Sequence, residues 1–192
     1  MPDSSHKFSK LSFVRPVYQG GLLEPEPVNQ SLTREYQQAV DAGNCRQTHF
    51  FNGRFENTYI DVEKVPGLAP VTNMVRHYAR QILDEDIDRL KCGFWFNAMQ
   101  PGHDTSLHTH EEYEEKLSAV YYINAPEGSG DLLIHDRNEV IHIKPVAGQV
   151  ILGDEPAFFP MQPGDRLRDR PLVEVVPHGL QPFGATSALA DH

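Results

Sequence analysis

Apolar residues recur along this chain with two different periods, and the change from one to the other falls near Arg89. Before that point the spacing is helical. Leu32, Tyr36, Ala39 and Val40 follow a candidate cap at Ser31 and stop at Gly43, a residue suited to a left-handed helix end, which predicts a first helix. Val71, Met74, Val75, Tyr78, Ala79, Ile82 and Leu83 share one face of a second helix beginning near Pro70, which has no N–H to leave unpaired in a first turn. Upstream of both, residues 1–10 hold one phenylalanine among serines and lysines and are expected to form a flexible tail. Leu11 to Tyr18 is a candidate edge strand ending at Gly20-Gly21, and Pro25 and Pro27 predict an extended loop.

After Arg89 the period becomes two. Gly93–Met99, Leu107–His110, Leu117–Ile123, Asp131–His135, Val140–Lys144 and Gln149–Leu152 read as short strands, separated by turn signals such as Asn124-Ala125-Pro126-Glu127-Gly128. Two helices followed by many strands predict an α+β fold in which the helices back an antiparallel barrel or sandwich. With 192 residues the chain suits one hydrophobic core, so 11–192 is expected to be a single domain.

Composition narrows the function. The formal charge of −10 disfavours generic binding to nucleic acid or to an anionic membrane surface, because a phosphate-rich partner would be repelled by most of the surface. No run approaches the roughly 18 apolar residues of a membrane span, and the N-terminus lacks the layout of a signal peptide, so a soluble cytoplasmic protein is expected. Cys45 and Cys92 are far apart and form no C-x-x-C pair, which argues against a disulfide framework or a thiolate metal site.

The candidate chemistry lies between Gly102 and Glu115. His108 and His110, two apart on a strand, project to one face, so both imidazoles can reach one metal ion. Neutral imidazole suits Fe, Zn, Ni and Cu, and a carboxylate from Glu111, Glu112, Glu114 or Glu115 would complete the two-histidine, one-carboxylate face of non-haem Fe(II) oxygenases. The alternative is an exposed strand in a polar turn, with the glutamates a solvated face. Tyr121 and Tyr122 alternate on the next strand, so one of them faces a barrel interior, where its hydroxyl could bind a carboxylate or simply pack. Trp95, with Phe94 and Phe96, is expected in the core, and His135 and His142 are expected to be structural or surface residues.

The run Gly93-Phe94-Trp95-Phe96-Asn97-Ala98-Met99-Gln100-Pro101-Gly102, then His108-Thr109-His110, Leu117-Ser118-Ala119-Val120-Tyr121-Tyr122-Ile123, Gly130-Asp131-Leu132 and Pro145-Val146-Ala147-Gly148, resembles a bacterial group of 2-oxoglutarate/Fe(II)-dependent oxygenases in order and spacing. Gly53-Arg54-Phe55-Glu56-Asn57-Thr58-Tyr59 extends the resemblance upstream, so that it spans about residues 45 to 152. It implies a double-stranded β-helix (a jelly roll, cupin-like), Fe(II) held by the His-x-His pair and a distal histidine, and 2-oxoglutarate as co-substrate held through a basic residue. The expected reaction is hydroxylation of a small molecule or a protein side chain, with a homodimer compatible.

The C-terminal region departs from that pattern. Aligned without a gap, Arg166 falls near the arginine position and Phe158 or Phe159 stands where a histidine should be. Aligned with an insertion, His178 is the distal histidine and Thr186 or Ser187 replaces the arginine. The expected site is therefore His108, His110 and His178 for the metal and Arg166 with Tyr122 for the co-substrate, with Lys116 and Arg137 as other cations. Two alternatives stay open. Gly102, His108, His110 and Glu114 match part of a cupin motif, which would give a cupin-type metal enzyme, and the altered C-terminal motif favours a catalytically silent metal-binding or sensing module.

Overall fold

The computed structural model describes residues 6–10, 16–83, 90–100, 102–103, 105, 116–136, 139–154 and 172–182. Among them, every strand pairing is antiparallel. The strands are β1 (His6–Lys10), β2 (Val17–Leu22), β3 (Arg46–Phe51), β4 (Arg54–Tyr59), β5 (Leu90–Met99), β6 (Leu117–Asn124), β7 (Leu132–Asp136), β8 (Glu139–Ile143), β9 (Gln149–Asp154) and β10 (Leu172–Pro182). Eight of them form one sheet in the order β1-β2-β9-β6-β10-β5-β4-β3, and β7 and β8 form a separate hairpin. The helices are α1 (Pro25–Asp41) and α2 (Ala69–Leu83), with two 3-10 turns at Val62–Lys64 and Pro66–Leu68.

Strand alternation divides the core into two layers. On one side of the sheet Phe96, Leu117, Ala119, Tyr121, Ile123, Val150 and Leu152 pack against Leu32 and Ala39 of α1 and Val71, Met74, Val75, Tyr78 and Ala79 of α2. The intervening residues Trp95, Met99, Val120, Tyr122 and Ile151 point the other way and meet Leu132 and Ile134 of β7 and Ile143 of β8. The sheet is thus buried on both faces, which explains why β6 reads as a nearly continuous apolar run rather than an alternation. The mixed helix and antiparallel-sheet composition expected from the pattern is observed, and α2 buries the face predicted for it.

Three elements depart from the sequence reading. Helix α1 begins at Pro25, with proline in its first turn, so the predicted proline loop is helix; the missing proline N–H has no intrahelical partner there in any case. It ends as expected, with Gly43 at φ +67°. Residues 6–10, assigned to the tail, form β1 against β2, because Phe8 stacks on Tyr18 at 5.3 Å and on Tyr78 at 4.5 Å. β1 therefore takes the sheet edge, and the candidate edge strand, β2, lies one strand in, starts at Val17 and runs through Gly20-Gly21 to Leu22. Finally, the hairpin β3–β4 was not anticipated, although Asn52 (φ 45°) and Gly53 (φ 82°) make the left-handed turn that Asn-Gly favours.

Candidate active site

The inner layer, between the sheet and the β7–β8 hairpin, holds one of the candidate residues, Tyr122. Tyr122 is fully buried there, with Trp95, Met99, Val120, Ile134 and Ile151 in the same cluster. Tyr121, one residue earlier, faces the helices, and its hydroxyl donates to Asn29 Oδ1 of α1 at 2.6 Å. Burial pushes the Tyr121 phenol well above its ordinary value, the Asn29 hydrogen bond opposing that shift, so it stays protonated and structural. The choice left open by the sequence is resolved: Tyr122 is the tyrosine on the inner face. Trp95 is core, as expected. His135 is half-buried, and His142 lies on the exposed side of its hairpin with Nδ1 3.5 Å from Asp131 Oδ2.

Strand β10 runs between β5 and β6 and carries His178. Its register against β5 pairs Glu174 with Asn97, Val176 with Trp95 and His178 with Gly93, and against β6 pairs Glu174 with Tyr122. Residue 178 therefore shares the register of the face that carries Trp95 and Tyr122. Because β6 and β10 are antiparallel, residue 178 also lies toward the end of the sheet where β6 begins at Leu117, the end at which the chain from 106–115 joins. The strand continues past Pro177 to Pro182, with a register shift between His178 and Gln181. Pro177 is accommodated because the β10–β6 pairing has already ended at Val175, so its missing N–H costs no ladder bond on that side.

His108 and His110, with the neighbouring glutamates, lie outside the described residues, as do Arg166, Arg137, Phe158, Phe159, Thr186 and Ser187, and of His178 only the backbone is described. Among the described residues no group of three or more His, Cys, Asp or Glu side chains could hold a metal ion. Lys116 is half-buried at the start of β6. No described helix is long and apolar enough to cross a membrane.

One polar cluster escaped sequence reasoning. Arg54 and Glu56 of β4, Asn97 of β5 and Thr105 are all buried, and Arg54 Nη1 donates to Asn97 Oδ1 at 2.6 Å. The available signal was the alternation of Arg54, Glu56 and Thr58 directly after an Asn-Gly turn, a strand whose polar residues turn inward.

No protein-family model matches the chain, and no curated protein matches it by sequence. Solved structures do match. A Pseudomonas putida prolyl-4-hydroxylase is similar over 93% of this chain and 95% of its own, with a TM-score of 0.63 and 15% identity. A non-heme alpha ketoglutarate dependent carbocyclase from nogalamycin biosynthesis is similar over 90% and 84%, with a TM-score of 0.64 and 10% identity. A Trichoplax adhaerens prolyl hydroxylase, in complex with a hypoxia inducible factor oxygen degradation domain peptide fragment, is similar over 93% and 84%, with a TM-score of 0.58 and 10% identity. The chain shares the fold of prolyl hydroxylase and 2-oxoglutarate/Fe(II) oxygenase structures.

Proposed function

We propose that this chain is a double-stranded β-helix enzyme that binds one Fe(II) through His108, His110 and His178 and uses 2-oxoglutarate to hydroxylate a small molecule or a peptide side chain. The observation that carries the reading is the register of β10: residue 178 shares a face with Tyr122, at the end of the sheet where the His108–His110 segment joins β6. Three neutral imidazoles form a donor set that fits Fe(II), and the glutamates at 111, 112, 114 and 115 offer a carboxylate beside them. Bound iron would supply the redox chemistry with O₂, and 2-oxoglutarate the two further electrons. The chain's own contribution is binding and orientation. Tyr122 would donate to a carboxylate of 2-oxoglutarate, Arg166 would pair with its far carboxylate, and the apolar inner layer would exclude water.

The whole of 11–192 serves as one such domain, with β1 added at its edge. The peptide complex of the structurally similar Trichoplax protein supports a peptide as one substrate class, as the carbocyclase supports a small molecule. The test is succinate release from 2-oxoglutarate by Fe(II)-loaded protein, with and without candidate substrates. Succinate that depends on both Fe(II) and O₂ is expected. Metal binding without any succinate, and without 2-oxoglutarate binding, would favour the silent or cupin-type reading. Replacing Arg166 with Met is expected to raise the 2-oxoglutarate Kd at least ~10-fold, since a hydrogen bond to a charged group is worth about 1.5–3 kcal/mol. Replacing His178 with Ala is expected to weaken Fe(II) binding by about 10-fold or more; unchanged affinity would move the third ligand to Glu112 or Glu114.

A further inference from the structure

A buried cation grips the chain just before the segment that carries the histidine pair. Arg54 is 8% exposed, and its guanidinium joins three stretches of chain. Nη1 donates to Asn97 Oδ1 at 2.6 Å, Nη2 donates to Thr105 Oγ1 at 3.3 Å, and Glu56 Oε1 lies 3.9 Å from Nη2. The Thr105 hydroxyl in turn donates to Met99 Sδ at 3.3 Å. The chain leaves β5 through a turn in which Gly102 sits at φ +80° and the His103 N–H donates to Gln100 O at 3.0 Å. That turn folds residue 105 back against residue 99, where Arg54 holds it.

Burying a guanidinium is costly unless its donors find acceptors in good geometry, so the arginine and its acceptors are fixed together. Among the described residues the buried charged side chains are Arg54 and Glu56, both in this cluster. Thr105 precedes His108 by three residues, so their Cα atoms lie within roughly 11 Å in any conformation. On the far side of the histidines the chain is secured by the pairing of Leu117 with Asp154 in the sheet. Sheet hydrogen bonds hold the downstream end of the segment, and the Arg54–Thr105 bond holds the upstream end.

We propose that Arg54 is a positioning residue for the metal centre, its hydrogen bond to Thr105 fixing the point from which the chain presents His108 and His110. The inference rests on the reading of those histidines as metal ligands. It assigns Arg54 no contact with metal or substrate. Displacing a ligand pair by a fraction of an ångström weakens a metal site without unfolding the domain.

The test is titration of the apo-protein with Co(II), whose visible absorption reports the ligand set and geometry, alongside the thermal midpoint of the apo-protein. Thr105→Val removes the acceptor hydroxyl at nearly constant volume, Thr105→Ser retains it, and Arg54→Met removes the cation. Thr105→Val and Arg54→Met are expected to raise the Co(II) Kd about 10-fold, the low end for outer-shell partners, and to shift the absorption bands. Thr105→Ser is expected to restore both. If Thr105→Val lowers the midpoint yet binds Co(II) with the unmodified affinity and bands, while His108→Ala abolishes binding, the positioning role is overturned and the ligand reading stands. If the unmodified protein binds no Co(II), or His108→Ala binds it equally well, the ligand reading falls and this inference with it.

Discussion

Adjacent tyrosines on β6 give a sharp contrast between a structural and a functional hydroxyl. Tyr121 is fully buried on the helix side, and its hydroxyl donates to Asn29 Oδ1 at 2.6 Å, Asn29 itself being 6% exposed. Tyr121→Phe removes that donor and leaves the buried acceptor to α1 without it, a loss of about 1–3 kcal/mol. For a domain of this size roughly 2–4 °C of thermal midpoint follows each kcal/mol. Urea unfolding should show a lower midpoint at an unchanged slope, as expected when stability changes but the surface exposed on unfolding does not. The same variant should bind 2-oxoglutarate as tightly as the unmodified protein, since Tyr121 points away from the inner layer. Tyr122→Phe should do the reverse in ligand affinity, raising the 2-oxoglutarate Kd of Fe(II)-loaded protein about 10-fold or more. Calorimetric titration measures both. An unchanged unfolding midpoint in Tyr121→Phe, or a loss of 2-oxoglutarate affinity in Tyr121→Phe rather than Tyr122→Phe, would refute the assignment of the two faces.

Two further outcomes follow from the packing. A Cβ on Gly20 would lie 2.6 Å from Tyr78 Cε2 and 2.8 Å from Cζ, so Gly20→Ala should destabilise the domain by about 1–3 kcal/mol, read by chemical denaturation; a neutral effect would mean that α2 does not press on β2 as described. Burial pushes the Cys92 thiol up to about 11, the Arg76 charge opposing only part of the shift. The folded state then keeps a proton that the unfolded chain releases near 9, so this thiol's contribution to stability is lost as pH rises between about 9 and 11. Cys92→Ser should flatten that alkaline decline, and an identical decline in the variant would contradict it.

Much of the architecture could be read from periodicity because α2 and β5 to β9 bury residues that are themselves apolar. Val71, Met74, Val75, Tyr78 and Ala79 form the predicted stripe on α2, and β6 is apolar on both sides because helices cover one face and the β7–β8 hairpin the other. Periodicity failed where burial is polar or long-range. On β4 the inward residues Arg54, Glu56 and Thr58 are polar while Phe55 is exposed, so the hydrophobic pattern points the wrong way. On β1 a single aromatic, Phe8, is secured by Tyr18 of β2 and by Tyr78 of α2, the latter far away in sequence. The start of α1 was obscured because Pro25 and Pro27, strong loop signals in isolation, are also compatible with a first helical turn. Of the candidate site, the sequence identified Tyr122 and Tyr121 as a pair, and only three-dimensional packing separates their roles. The Arg54 cluster was only half legible, because Arg54 and Glu56 alternate on one strand while Asn97 and Thr105 join them through the fold alone.

Histidine-bound iron is the central requirement of the proposed chemistry. Apo-protein loaded anaerobically with Fe(II), freed of excess ion and subjected to elemental analysis should retain one iron per chain, with retention weakening as pH falls below roughly 6.5, where free imidazole takes up its proton. His108→Ala and His110→Ala should each lose that iron while keeping the circular-dichroism spectrum of the unmodified protein. One iron per chain retained in both variants, or retention that stays flat from pH 8 to pH 5, would contradict histidine ligation and with it the proposed oxygenase chemistry.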